Sequence, residues 1–140
     1  MALVVPNGAE VILAAAALGK TNQTALTLRL YTVISPALSK DTVVADLTEA
    51  VGGGYAAIAL TANNWTITGG SPTSAAQPAQ VFTFTGTLTT NPAVLGYFST
   101  NASGALAGPV EALAASFTPA NNGDTVSVTP TITFASTTSD

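Results

Sequence analysis

The side chains that could carry acid–base chemistry in this sequence are carboxylates, because the chain contains no His and no Cys. That composition excludes the usual Ser–His and Cys–His nucleophile pairs, disulfides and the common zinc sites. Two carboxylates can hydrolyse a glycosidic bond when they lie at a working separation. Nothing in the spacing brings two of them together, so we interpret them as acids of loops and strand ends and predict no catalytic residue. The candidates are Asp41, Asp46, Glu49, Glu111 and Asp124.

Two other groups could bind a ligand, and each has a structural interpretation. Oxygens of residues 121–124 (NNGD) could coordinate calcium. A tight turn with Gly123 at positive φ explains the same residues, and we favour the turn. Trp65, Tyr55 and Tyr97 could stack on a sugar or on a protein partner, whereas a single Trp in a β fold more often belongs to the core. We therefore predict no metal and no cofactor.

Charge is scarce in this chain and unevenly placed. No Asp, Glu, Lys or Arg occurs between Glu49 and Glu111, and Thr, Ser, Asn, Gln, Gly and Pro interrupt that segment too often for a membrane span. Three basic and seven acidic residues give a formal net charge of −4, so binding to nucleic acid or to an anionic membrane surface is not expected. Charged residues are depleted at the packed centres of protein interfaces, which favours a structural assembly protein over an enzyme.

The N-terminal segment predicts a helix over residues 7–18. Asn7 can cap it with Glu10 at the third position, a capping-box arrangement, and Gly19 suits the stop. The apolar run 11–18 also looks like the core of a signal peptide, but no Lys or Arg precedes it, so we prefer a helix of the mature fold. Because the run is apolar all round, we expect it to be covered on more than one side, by its own sheet or between subunits.

The rest of the chain alternates short β-patterned segments with turns. This predicts a mainly β fold, an antiparallel β-sandwich of jelly-roll or immunoglobulin-like type with about seven or eight strands and one short N-terminal helix. We expect a single domain over residues 1–140. Residues 55–61 and 65–68 predict a hairpin, residues 69–79 a loop, and Pro130 an edge position or an interruption. The other predicted strands are residues 26–33, 80–85, 94–100, 106–113 and 125–134.

Several stretches of the sequence, taken in order, resemble a group of small tailed-bacteriophage virion proteins. They are PNGAEVILAAAALGK, TEA followed by GGGYAAIALT, NWTITGGSPT, QVFTFTG, LGYF and FTPANNGDTVSVTPTITF. The resemblance is one of texture and segment order, and it includes no catalytic signature. It implies a capsid cement or decoration protein, a homotrimer on the outer surface of the capsid that contacts the major capsid protein.

Together, the residues and the resemblance predict a non-enzymatic virion protein that stabilises the phage head by binding across major capsid protein subunits. The alternative is a receptor-binding or adhesion module of a phage tail or a cell surface, whose loops would meet a glycan. In the leading hypothesis the N-terminal segment grips a neighbouring subunit through its apolar side chains. The residues predicted at that interface are Val4, Val5, Val11, Ile12, Leu13 and Leu18.

Overall fold

The architecture is mainly β, as predicted, with antiparallel sheets and one helix near the N-terminus. The computed structural model describes residues 3–18, 25–70 and 72–134. Single 3-10 turns lie at Val44–Asp46 and Ala62–Asn64. In chain order the helix and strands are β1 (Leu3–Val4), α1 (Asn7–Ala17), β2 (Thr27–Ile34), β3 (Leu47–Glu49), β4 (Ile58–Ala59), β5 (Thr66–Thr68), β6 (Thr73–Ala76), β7 (Gln80–Thr83), β8 (Val94–Thr100), β9 (Leu106–Phe117), β10 (Thr125–Val128) and β11 (Thr131–Phe134).

The largest sheet has the strand order β1-β9-β8-β2-β3, and β4 pairs with the start of β2. Its strands are all antiparallel. Pro109 predicts an edge position or a bulge for β9. Over the described ranges, β1 pairs with β9 only at Glu111 and Val110, so Pro109 lies just beyond that pairing, and the register with β8 shifts between Phe98 and Thr100. The irregularity lies where β9 contains a residue without an N–H, so the bulge interpretation is confirmed, and the short β1 leaves Pro109 unpaired on that side.

The main core lies between the large sheet and the two-stranded β10-β7 sheet. Leu28 and Leu30 of β2 are fully buried there, as the alternation in this strand predicts, and they pack in one cluster with Phe82, Phe84 and Val128. These side chains come from both layers, which makes the fold a sandwich. Burying each of them contributes roughly 1.5–3 kcal/mol relative to an exposed side chain.

A second cluster covers the opposite face of the large sheet. Tyr31 alternates with the leucines of β2, and this pattern predicts that it lies on a polar face. It is instead 1% exposed and packs with Phe98 and Val110. Ile34 and Leu38, at and just beyond the end of β2, add to this cluster. The sheet is thus buried on both faces over part of its length, which strand alternation alone does not reveal.

The predicted hairpin between residues 55–61 and 65–68 is wrong. β5 pairs with β6, and β4 pairs with β2. The Leu60 N–H donates to the Leu26 carbonyl at 2.8 Å, so this segment is held along β2 and is not available to β5. Residues 69–79, expected to form a loop, contain β6, and short strands of this kind raise the number of strands in the described residues to eleven.

The C-terminal alternating segment is divided at Pro130, as the missing N–H of that residue predicts. The part before it, β10, pairs with β7, whereas β11 pairs with β6. Val128 and Ile132 are buried and the intervening threonines are more exposed. One alternating stretch therefore supplies strands to two different sheets.

The helix begins and ends within one residue of its predicted bounds, but its capping differs from the prediction. Pro6 is the N-cap, and Asn7 makes no capping bond. The Asn7 Nδ2 instead donates to Asp41 Oδ1 at 3.1 Å, and Glu10 pairs with Lys40. Partners from the segment after β2 thus occupy both side chains of the expected capping box. The predicted stop at Gly19 lies outside the described residues.

Candidate partner-binding groove

Helix α1 presents three different faces, because side chains three and four positions apart share a face. Ala9 is completely buried and Ile12 packs on the main core, so this face meets the sheet along β9. Val11 and Leu18 lie on a second face and are 69% and 77% exposed. The described residues of the chain itself therefore cover one face of the helix and leave another apolar face exposed, and cover between subunits stays a prediction.

The third face of α1 lines an open groove of about 750 Å³. Leu13, Ala14 and Ala17 of the helix form one wall, and the rest comes from β1, β11, the segment after β2 and the first turn of the helix. The remaining lining residues are Val4, Val5, Glu10, Lys40, Thr133 and Phe134. Most of this surface is hydrocarbon, and Phe134 is 50% exposed beside it. An exposed apolar concavity of this kind is typical of a protein-binding or ligand-binding site.

Polar contacts at the first turn of the helix fix its position. The Asn7 backbone N–H donates to the Lys40 carbonyl at 2.9 Å, and the Asn7 side chain bonds Asp41. The Lys40 ammonium pairs with the Glu10 carboxylate at the rim of the groove. These contacts, together with the packing on β9, fix the helix wall of the groove.

The predicted interface residues fall into two sets. Val4, Val5 and Leu13 line the groove, and Val11 and Leu18 lie on the exposed face of α1. Ile12, the remaining member, turns toward the main core and contributes to a second, smaller pocket beside the Thr42–Val44 loop. The structure thus brings part of the predicted set together at one groove.

Sequence reasoning missed the other wall of the groove. Thr133 and Phe134 come from the C-terminal strand β11, and Lys40 comes from the segment after β2. The alternation of the C-terminal segment assigned Phe134 to an apolar face, but no signal in the sequence connects that face with the N-terminal helix. The sequence also does not indicate that Ala14 and Ala17, unlike the neighbouring alanines of α1, line the groove.

The carboxylates considered for catalysis hold local structure. Asp46 Oδ2 accepts from the Val43 N–H at 2.9 Å, and Asp41 accepts from Asn7. Glu49 accepts two hydrogen bonds from the Arg29 guanidinium, at 2.9 and 2.8 Å. The structure places these acids on a 3-10 turn, a loop and an edge strand, each with its own donor.

Glu111 is the buried member of that set. Its side chain accepts a short hydrogen bond from the Tyr97 hydroxyl, and the two residues face each other across β8 and β9. Burial, then the hydrogen bond to Glu111, raises the pKa of the Tyr97 phenol far above its usual value. Burial and the charge of Glu111 also raise the pKa of Tyr31. The Tyr97 phenol therefore remains a protonated donor well into alkaline solution.

The aromatic residues considered for stacking contribute to the core. Tyr55 stacks on Phe82 with ring centroids 5.9 Å apart, and its hydroxyl donates to Glu49 and accepts from the Leu30 N–H. Burial is the largest cause that raises the Tyr55 pKa. Trp65 packs partly against the main core, as the structural interpretation of a single Trp predicts.

The NNGD segment forms a turn, as predicted, with Gly123 at φ +94°. Asp124 Oδ2 accepts from the N–H groups of Ala120 and Asn121 at 2.8 Å each. These two bonds lower the pKa of Asp124. In residues 3–18, 25–70 and 72–134, no group of three or more acidic, His or Cys side chains is placed to hold a metal.

Within the same residues, α1 is too short to cross a bilayer, and no other helix is long and apolar enough to do so. Comparison with protein-family models, with curated proteins and with solved structures finds no match to this chain.

Proposed function

We propose that this protein is a non-enzymatic virion structural protein that decorates the outer surface of a tailed-phage capsid. In this role a homotrimer binds across neighbouring major capsid protein subunits and cements them. The observation that carries the proposal is the exposed apolar surface at the N-terminal helix: Val11 and Leu18 on one face and the open groove on the next. A surface of this chemistry lowers its free energy by burial against another protein.

Mass action explains how such binding would stabilise a shell. A subunit that binds the assembled lattice but not its separated components shifts the equilibrium toward the assembled form. Burying one exposed Val or Leu contributes roughly 1.5–3 kcal/mol, so Val11 and Leu18 together supply a useful share of an interface. The absence of charge between Glu49 and Glu111 lets neighbouring copies pack without like-charge repulsion.

The first test is electron cryomicroscopy of virions of the phage that encodes this chain. Density for the sandwich on the outer shell at threefold positions supports the proposal. Density at the tail tip would instead support the receptor-binding alternative, and lack of density anywhere on the particle would overturn both virion roles.

A binding assay on capsids purified without this protein tests whether the exposed helix face, Val11 and Leu18, contributes to the interface. Removal of residues 2–18 would also remove β1 from the large sheet, so point variants of the full chain are preferable. We expect the double variant Val11→Asp, Leu18→Asp to lose capsid binding. The control is Ile67→Asp on β5, where the side chain is 73% exposed and far from α1 in the chain. Equal binding by both variants would remove the exposed helix face from the interface.

A further inference from the structure

The groove beside α1 lies between two strands that each end a sheet. β1 is the terminal strand of the large sheet, and β11 is the terminal strand of the β11-β6-β5 sheet. Val4 at the end of β1 and Thr133 and Phe134 of β11 line the same groove. Among the described residues neither strand has another strand on its outer side. Such edges offer unpaired N–H and C=O groups, which an extended chain can satisfy by adding a strand.

The lining of the groove restricts what can fill it. Leu13, Ala14 and Ala17 offer hydrocarbon and no hydrogen-bonding side chain. The two charged residues at the rim, Glu10 and Lys40, neutralise each other in an ion pair. A charged occupant would therefore lose hydration without gaining an opposite charge, whereas a neutral apolar one loses little. Charge complementarity thus favours an uncharged segment with apolar side chains.

The size and shape of the groove favour an extended peptide. β11 has four residues, and an added strand of the same length would span about 13 Å. Alternate side chains of such a strand point to opposite faces, so one set would enter the 750 Å³ groove against Leu13 and Ala14. Main-chain hydrogen bonds would supply affinity, and the groove would select for apolar side chains.

We propose that this groove binds an extended, uncharged and largely apolar segment of the capsid protein, which adds as a strand to the free edge of β1 or β11. The inference rests on the proposed function, which supplies the capsid protein as the partner. It adds the binding site, the conformation of the bound segment and the chemistry of its side chains.

The test compares two variants of the full chain in which an exposed Ala gains a carboxylate. Ala14→Glu places the charge in the groove, whereas Ala57→Glu places it on an exposed residue before β4, which lines neither the groove nor the Val11 and Leu18 face of α1. Circular dichroism and thermal unfolding first establish that both variants fold as the wild type does. Binding is then measured on capsids purified without this protein. We expect Ala14→Glu to weaken binding at least tenfold and Ala57→Glu to change it less than threefold.

Amide hydrogen exchange of the wild-type protein on those capsids reports strand addition directly. We expect slower exchange in residues 3–5 or 131–134 on binding, because an added strand bonds edge N–H groups. Wild-type binding with unchanged exchange at both edges, or equal binding by both variants, would overturn the inference and leave the proposed function standing. The same slowing of exchange in the free protein at high concentration would identify a second copy of this chain as the occupant, and would also overturn the inference. Failure of the wild type to bind capsids would overturn both proposals.

Discussion

Substitution of Tyr97 by Phe should change how the free energy of unfolding depends on pH above pH 8, and the change reports the ionisation of this one phenol. Tyr97 is 2% exposed and donates its hydroxyl proton to Glu111. Removing that donor leaves a buried carboxylate without its partner, so near pH 8 we expect Tyr97→Phe to lower the free energy of unfolding by about 1.5–3 kcal/mol.

The pH dependence of that difference follows from the raised pKa of Tyr97. The unfolded phenol titrates near 10.0, whereas burial and Glu111 keep the folded phenol protonated beyond pH 11. The stabilisation from the raised pKa is therefore complete below pH 10 and is lost as the pH rises toward the folded pKa. At pH 11 the unfolded state gains about 1.4 kcal/mol from ionising this phenol. Phe has no such proton, so the difference between the two proteins should narrow by about that amount between pH 8 and 11.

Urea unfolding of the wild type and Tyr97→Phe at pH 8, 9, 10 and 11 measures this difference. Tyr31 and Tyr55 also have raised pKa values, but they are present in both proteins and largely cancel in the comparison. Absorbance near 295 nm, which reports tyrosinate, gives an independent reading in the folded protein. A stability difference that stays constant from pH 8 to 11, or a Tyr97 that ionises near pH 10 without unfolding, would refute the reasoning.

Two further predictions concern single residues of the fold. A Cβ on Gly96 would lie within 2.5 Å of the Tyr31 ring, so Gly96→Ala should cost about 3 kcal/mol or more in urea unfolding. Gly86→Ala, where a Cβ meets nothing within 4 Å, should change stability by less than about 0.5 kcal/mol; equal losses would contradict this. The lowered pKa of Asp124 contributes stability that is present above the unfolded pKa of 3.8 and lost as pH falls through the folded value. Asp124→Asn should therefore lose less stability than the wild type between pH 5 and 2, and parallel acid unfolding curves would be the contrary result.

The sequence predicts the elements that have a strong apolar periodicity and that need only an apolar surface beside them, whichever residues supply it. The alternation of leucines in β2 and the run that forms β8 require only an apolar layer on one side, so their bounds follow from local pattern. The N-terminal helix is also predicted from local sequence, because most residues after its start at Asn7 are good helix formers. Its capping is not, because the partners of Asn7 and Glu10 lie at Asp41 and Lys40, far along the chain.

The failures share a different cause, which is competition between distant partners for the same backbone. Residues 55–61 carry a strand pattern, but the Tyr55 hydroxyl is fixed by Glu49 and the Leu30 N–H, so the segment follows β2. β6 forms in a segment with two prolines nearby because β5 and β11 supply a partner on each side. No local propensity measures such pairings. The groove is the extreme case, since Leu13 and Phe134 meet from opposite ends of the chain.

The way the helix is held explains why, in the part of the chain that the structure describes, its groove face does not pack closely on β11. An apolar helix beside an apolar strand would ordinarily collapse onto it, because each square ångström of contact stabilises the folded state. Here the buried Ala9 holds α1 against β9, and Asn7 bonds Asp41 and the Lys40 carbonyl at the first turn. A displacement of α1 would break these contacts, so they fix the groove wall that the helix forms. A preformed site avoids the ordering cost that a collapsing one would impose on binding, which is why we assign the extended partner segment to this groove, while Val11 and Leu18 contribute the adjoining part of the proposed interface.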